Sequence, residues 1–387
     1  MRQIEKHQAD WDPFAISDTG DQRNVYDELR QRCPVAYSDR LQWSILRHDD
    51  VLRVITDHET FSNNVSRHLT VPNGMDPPEH TVYRPIVESY FSSARLRAFE
   101  PVCREIVDDL TGQVVAAAPV ELIADFALDV SVRILCAFLG WPTRLHTPLA
   151  AWTIRSRDAM RAMDQPALAE IAREFQDLVA EMLAQRRTAD ALPEDDLTTS
   201  LMHETVYDRP LDEPEIASIL RNWTVGEIGT MSASIGILVH HLAEHPDLQN
   251  RLRAEPDVLP YAIDEMLRIH GPLVTNRRIA TRAVELGGRT IEAGERLSIN
   301  WVAANRDERV FEHPGDFSFD RNPSKNLLYG AGIHVCPGAP LARMELLLVM
   351  ESLLGKTTSI ELDPDAPPLM AAYPASGYAT LPVRMHQ

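Results

Sequence analysis

The chain has 387 residues, 44% hydrophobic and 25% charged, an ordinary globular balance. Its formal net charge of −19 argues against nucleic acid or an anionic membrane surface as the main partner. No run approaches the roughly 20 apolar residues of a bilayer span, and Met1–Phe14 lacks the apolar core of a signal peptide or anchor. The four cysteines, Cys33, Cys103, Cys136 and Cys336, show no paired spacing. That suits neither disulfides, zinc nor an iron–sulfur centre, and fits a reducing cytoplasm. Length alone leaves open one large domain or two to three small ones.

In chain order, Asn24–Arg32 reads as a helix, Val35–Tyr37 with Trp43–Arg47 as a small hairpin, and Asp49–Thr56 as helix again. Asn63–Pro78 is a loop rich in Asn, Pro and Gly. After it His80 and Arg84 lie four apart, so on a helix they share one face. Apolar spacing is helical from Pro101 to Leu145, with Cys136 in a core run, and again from Pro166 to Arg187. Between these, Trp152–Met163 mixes Arg, Met and Ala, and Arg187–Asp196 is an acidic, solvated connector.

Asp212-Glu213-Pro214-Glu215 carries an N-cap acid, an early proline and a capping-box glutamate, so a helix starts there. The next proline is Pro246, which allows a helix of roughly 45 Å. Its middle, Gly226-Glu227-Ile228-Gly229-Thr230, is a poor helix sequence. Two glycines and a threonine cost about 2 kcal/mol against alanines. A chain accepts that where backbone must approach a ligand or open a groove. Trp223, one turn earlier, is core or pocket wall. Glu265 and Arg268 sit one turn apart, a pairing worth little on a surface. Asn276–Thr281, Val284–Ile291 and Ala293–Glu295 alternate around glycine turns as a small β-meander, and final strands fall around Ala371–Val383.

The stretch Tyr329-Gly-Ala-Gly-Ile-His-Val-Cys-Pro-Gly-Ala-Pro-Leu-Ala-Arg343 is the most specific signal. Gly330, Gly332, Gly338, Pro337 and Pro340 bracket Cys336 in a rigid loop, and a strongly helical, buried segment containing Leu341, Leu346, Val349 and Glu345 follows. A cysteine on a stiff turn at a helix N-terminus is biased toward thiolate. One such thiolate among small residues suits the axial position of a large flat cofactor, and haem iron accepts one. A lone cysteine in a glycine-rich loop is otherwise an inert small residue.

The pattern aromatic-Gly-x-Gly-x-His-x-Cys-x-Gly resembles the haem-binding loop of the cytochromes P450. That resemblance implies a mainly α chain with a smaller β-rich lobe (α+β), a triangular prism of helices around haem, formed by residues 1–387 as a single domain. It implies haem b (iron protoporphyrin IX) with Cys336 as the iron ligand and Tyr329, Gly330, Gly338 and Gly226 beside the cofactor. The family usually has Phe at the Tyr329 position. Asp76-Pro-Pro-Glu-His-x-x-x-Arg84 is similar to the family segment whose His and Arg bind haem propionates, so His80 and Arg84 take that role. His334 and Arg278 match the other propionate contacts, with Arg277 as the alternative to Arg278. Cationic and donor groups there offset two buried carboxylates. Glu265, Arg268 and Arg321 resemble the family's structural triad.

In the family the middle of the long helix is an oxygen-binding kink, (Ala/Gly)-Gly-x-(Asp/Glu)-Thr. Thr230 falls on its Thr, while Gly229 stands at the acid position and Glu227 at the second Gly. A hydroxyl holding water can relay protons, and Glu227, three residues from Thr230, is placed to deliver them from a shifted position; the alternative is that Glu227 faces solvent or an ion pair elsewhere. Catalytic roles therefore fall to Thr230 and Glu227. Asn63–Met75, Trp152–Met163, Trp223–Thr230, Leu273–Asn276 and Ser376–Tyr378 are expected to line the pocket.

The resemblance implies a cytoplasmic, bacterial, monomeric monooxygenase that inserts one oxygen atom from O2 into a small or medium apolar organic substrate, by hydroxylation or O- or N-dealkylation. Electrons are expected from a ferredoxin and its NAD(P)H-dependent reductase, with neither nucleic acid nor membrane as partner. The chain also resembles the haem domain of bacterial oxygenase–reductase fusions, without the reductase part. The alternatives are an H2O2-driven peroxygenase, suggested by Gly229, and a haem-thiolate binding or sensing protein without turnover.

Overall fold

In the computed structural model the chain runs through helix α1 (Gln22–Arg32), strands β1 (Val35–Ser38) and β2 (Gln42–Ile45), helix α2 (His48–Thr56) and strand β3 (Phe61–Ser62). Helices α3 (Glu79–Ser89) and α4 (Ser93–Ala116), strand β4 (Val120–Glu121) and helices α5 (Leu128–Leu139), α6 (His146–Ala162), α7 (Gln165–Thr188) and α8 (Leu197–Met202) follow. A hairpin, β5 (Thr205–Val206) and β6 (Arg209–Pro210), leads into α9 (Glu213–Glu244), α10 (Pro246–Ala254) and α11 (Leu259–His270). Next come β7 (Thr275–Ala280), β8 (Val284–Leu286), β9 (Arg289–Ile291), β10 (Arg296–Asn300) and α12 (Trp301–Ala304). The chain ends with α13 (Ala339–Lys356), β11 (Ser359–Leu362), β12 (Leu369–Met370), β13 (Tyr378–Thr380) and β14 (Pro382–His386). The structure describes residues 7–15, 20–117 and 119–387. Part of the expectation for Met1–Phe14 lies outside the described residues.

Two compact units divide the chain. The first comprises Met1–Val65, Asp264–Cys336 and Met370–Ser376. Its main sheet has the order β1-β2-β10-β7-β3. β1 and β2 form the predicted hairpin, with Tyr37 opposite Trp43, and β10 runs parallel to β2 with Leu297 opposite Trp43. β10 pairs antiparallel with β7, placing Ser298 opposite Arg277. The inward residues are large and apolar: Trp43, Ile45, Phe61, Leu297 and Ile299 form one cluster with Val51 and Ile55 of α2. Successive strand residues point to opposite faces, which leaves Arg277 exposed and Arg278 buried. The predicted meander is divided: β7 joins the main sheet, while β8 and β9 pair as a separate two-stranded hairpin.

The second unit comprises Ser66–Ile263, Pro337–Leu369 and Gly377–Gln387. Its axis is α9, 32 residues long, or about 48 Å at the rise of an α-helix. The predicted capping box is formed: the Glu215 amide donates to Asp212 at 2.9 Å and the Asp212 amide donates to the Glu215 carboxylate at 2.8 Å. Around α9 pack α5, α7 and α13, and α4 lies against α13. Tyr90, Trp141, Phe175, Leu220 and Ile228 belong to the large apolar cluster that holds these helices. Trp223 packs its ring against Tyr90 and Phe91, on the side of that core.

Two readings of the chain change. The helical run expected from Pro101 begins earlier, at Ser93, with Pro101 inside α4. A proline at that depth removes one backbone hydrogen bond, and the packing of α4 on α13 outweighs the loss. The same run is also interrupted, because β4 leaves it to pair with β14, Val120 opposite Val383. A π-type turn, Ile123–Ala127, then re-enters helix. Periodicity within one segment carries no trace of a strand partner so distant in the chain. The four cysteines are free, with Cys103 and Cys136 buried and Cys336 exposed. Among the described residues no helix is long and apolar enough to cross a membrane.

Candidate active site

In the first unit the cysteine loop is closed by its own backbone. The Cys336 amide donates to the Tyr329 carbonyl at 2.8 Å and the Gly330 amide donates to the Leu327 carbonyl at 2.9 Å. Gly330 and Gly332 adopt φ of 72° and 71°, the left-handed region. Gly332 has a second reason to be glycine, since a Cβ there would lie 2.9 Å from the Ile55 carbonyl oxygen at the end of α2. A single 3-10 turn, Gly332–His334, sits inside the loop that the sequence reading left without helix. The result is an exposed Cys336 on a backbone that side chains cannot easily deform.

The loop is held from behind by buried charge. Arg268 is 1% exposed and donates to the Glu265 carboxylate at 2.7 and 2.9 Å. Its Nη1 donates to the Asn305 carbonyl at 2.7 Å, Nη2 donates also to the Pro314 carbonyl at 3.0 Å, and the guanidinium stacks over Phe311. Arg321 donates to the same carboxylate at 3.2 Å and to the His313 and Asp316 carbonyls. The expected triad is therefore assembled. Asn305 carries the connection onward, its side-chain oxygen accepting from the Leu327 amide at 2.8 Å. The sequence reading passed over that role; a polar Asn closing a short helix was the available signal. Arg278 is buried and donates to the Arg277 carbonyl at 2.7 Å, and His334 lies in the cysteine loop of this unit.

In the second unit α3 carries His80 and Arg84, both buried, on one face as their spacing required. Arg84 bridges to Glu88 at 2.7 Å. On α9, Thr230 donates its hydroxyl to the Gly226 carbonyl at 2.5 Å. A Cβ at Gly226 or Gly229 would meet nothing within 4 Å, whereas at Gly236 it would strike Ile123 at 2.6 Å. The helix surface is thus open at Gly226 and Gly229 and closed at Gly236. The expected kink is not a break in the hydrogen-bonded helix, because α9 continues through residues 226–230. Gly338 caps α13, its carbonyl accepting from the Ala342 amide at 2.9 Å.

The Glu227 side chain faces another helix of the second unit. Its carboxyl is directed to that of Glu345 on α13. No hydrogen bond joins Glu227 to Thr230 among the described residues. Burial raises the pKa of both carboxyls above the ordinary range, and for Glu345 the neighbouring Glu227 raises it further. Glu345 was read only as part of a buried helix; a glutamate on an otherwise apolar stripe was the clue.

The donor chemistry of each unit fits haem. The first has one thiol on a glycine-built turn, a buried arginine and a histidine. The second has a buried histidine–arginine pair and a helix surface stripped of side chains at Gly226. Among the described residues no group of three or more His, Cys, Asp or Glu could hold a bare metal ion.

Comparison with known proteins points the same way. The cytochrome P450 family model matches residues 156–373, more than half of the chain. Nocardicin C N-oxygenase of Nocardia uniformis is 33% identical, over 83% of each chain. Mycinamicin IV hydroxylase/epoxidase of Micromonospora griseorubida is 31% identical, over 87% of this chain and 88% of that one. A mutant of P450 EryK solved with erythromycin B superposes with a TM-score of 0.86 at 26% identity, covering 96% of this chain and 98% of that one. CYP109B1 of Bacillus subtilis gives 0.82 at 27% identity, covering 97% and 100%. A cysteine loop braced by Glu265, Arg268 and Arg321, a long helix opened by glycines before Thr230, and these matches place the chain in the cytochrome P450 family.

Proposed function

We propose that this P450 monooxygenase inserts one oxygen atom from O2 into an apolar organic molecule of small or medium size, by hydroxylation or by O- or N-dealkylation. Its cofactor is haem b, which when bound supplies oxygen activation, the Cys336 thiolate pushing electron density to favour O–O cleavage. His80, Arg84, Arg278 and His334 hold the cofactor's carboxylates, and Tyr329, Gly330, Gly338 and Gly226 give it clearance. All 387 residues act as one functional domain. The protein is a cytoplasmic monomer and draws electrons from a ferredoxin and its NAD(P)H-dependent reductase. The relatives named as hydroxylases, an epoxidase and an N-oxygenase support oxygen insertion into organic molecules.

One observation carries the reading. The Thr230 hydroxyl has its proton committed to the Gly226 carbonyl at 2.5 Å. Its oxygen lone pairs are then left to accept from water, which holds that water for proton relay. A protein that only binds or senses has no use for such a hydroxyl at the opened stretch of the helix. Turnover with a surrogate ferredoxin, its reductase and NADPH should yield oxygenated product from a compound that shifts the haem spin state. Thr230→Ala should keep the haem spectrum and cut the fraction of electrons that reach product several-fold. Unchanged coupling removes Thr230 from the relay, and no product with any compound sinks the monooxygenase reading.

A second reading has its own observation. Gly229 offers no carboxyl before Thr230, and Glu227 is directed to Glu345. Direct use of H2O2 bypasses external proton delivery, so product formation with peroxide at or above the rate of the reconstituted electron chain favours a peroxygenase.

A further inference from the structure

Two carboxyls meet inside the second unit. Glu345 is 0% exposed. Neither of its oxygens, nor Oε1 of Glu227, has a hydrogen-bond donor from the protein among the described residues. The third titratable group there is Cys103 on the neighbouring helix α4, fully buried, its thiol pushed up first by burial and then by Glu345 and Glu227. Glu100 and Arg104 of α4 also act on the Cys103 thiol, and Arg104 bridges to Glu100 at 3.1 Å and to Glu351 at 3.2 Å.

Two adjacent carboxylates cannot both be ionised in such a place, because each loses its hydration and repels the other. A proton between them removes one charge and supplies the missing donor. We infer that Glu227 and Glu345 form a carboxyl dyad that retains at least one proton at neutral pH and serves as the proton store behind Thr230. The supply role rests on the monooxygenase reading; the dyad itself does not. In the proposed step the proton of the dyad passes from the Glu227 carboxyl to water held at Thr230 as Glu345 takes up another from solvent, so that one O–H bond breaks and one forms. Glu345 acts through Glu227 and is a positioning and proton-storing residue, whereas Glu227 is the donor. One proton leaves and one enters, and no electron moves in the dyad.

The titration of the pair has a defined sign. Both carboxyls are raised above their unfolded values by burial, so the folded chain binds more protons than the unfolded one from about pH 4.5 upward. The stabilisation is complete below that and is lost as pH rises through the folded values. Glu345→Gln keeps the uncharged shape, so its thermal midpoint should gain on the wild type as pH goes from 5 to 8.

The test uses ferric, substrate-free holoprotein labelled with ¹³C-glutamate. Isotope-edited infrared spectra at pH 7 should show a protonated carboxyl band that weakens as pH rises and is absent from Glu227→Gln/Glu345→Gln. A wild-type spectrum without that band, or a band surviving in the double variant, overturns the dyad, and the wild-type pH series needs no variant to fold. In reconstituted turnover Glu345→Gln should lower coupling by about a hundredfold, at the low end for general acid–base groups, and enlarge the solvent deuterium isotope effect. A band present in wild type with coupling and isotope effect unchanged in Glu345→Gln overturns the storage role. Failure of the monooxygenase reading would show differently, as no product from wild type alongside an intact infrared band.

Discussion

Tyr83 on α3 donates its hydroxyl to Glu215, the third residue of α9. Arg209 closes the group, donating to the two Glu215 oxygens at 2.7 and 2.8 Å. The capping-box glutamate therefore does two jobs, completing the N-terminus of α9 and tying it to the helix that carries His80 and Arg84. The Arg209 hydrogen bonds hold the Glu215 carboxyl down at about 2, against the opposing effect of burial, and Tyr83 is pushed up to about 12 chiefly by burial.

Acid stability follows from this group. A carboxyl lowered on folding stabilises above its unfolded value and loses that contribution as pH falls from about 4.5 toward 2. The wild-type melting temperature should drop more steeply below pH 4.5 than that of Glu215→Gln, with the two curves parallel above pH 6. Tyr83→Phe should cost about 1.5–3 kcal/mol at neutral pH, as for a hydrogen bond to a charged group. Chemical denaturation at fixed pH reads that value.

Cys336→Ser should give a protein whose ferrous carbon-monoxide complex lacks the red-shifted band of a thiolate ligand. The loop backbone should survive, because its closing bonds run between Cys336 N–H and the Tyr329 carbonyl and do not involve the sulfur. Retention of the band in the serine variant would take Cys336 out of the cofactor site.

The Glu265 triad should behave as structure. Removing one partner leaves Arg268 buried and uncompensated, which costs about 3–5 kcal/mol. Glu265→Ala should therefore unfold at markedly lower denaturant and recover little haem. Near-normal stability would mean that the carbonyls of Asn305 and Pro314 alone satisfy Arg268.

The neighbouring arginines of β7 offer an internal control. Arg278 is buried and Arg277 exposed. Haem transfer to apomyoglobin should be at least several-fold faster from Arg278→Ala, while Arg277→Ala should match the wild type. The reverse order would assign the carboxylate contact to Arg277.

Much of the molecule is legible in short-range spacing. The cap at Asp212–Glu215, the β1–β2 hairpin, the common face of His80 and Arg84 and the glycine–cysteine loop all depend on residues a few positions apart. Local backbone geometry is the physics that acts at that range. Pro101 misled for the complementary reason: its local cost is real, but packing against a helix far along the chain outweighed it.

The residue types in the middle of α9, and the absence of an acid directly before Thr230, were determined by the sequence alone. Only the tertiary structure decided which group Glu227 faces. Side-chain identity supplies an ionisable group, but its charge depends on the water it loses and the partner it gains. That partner is Glu345, on a helix whose approach no spacing along the chain could announce.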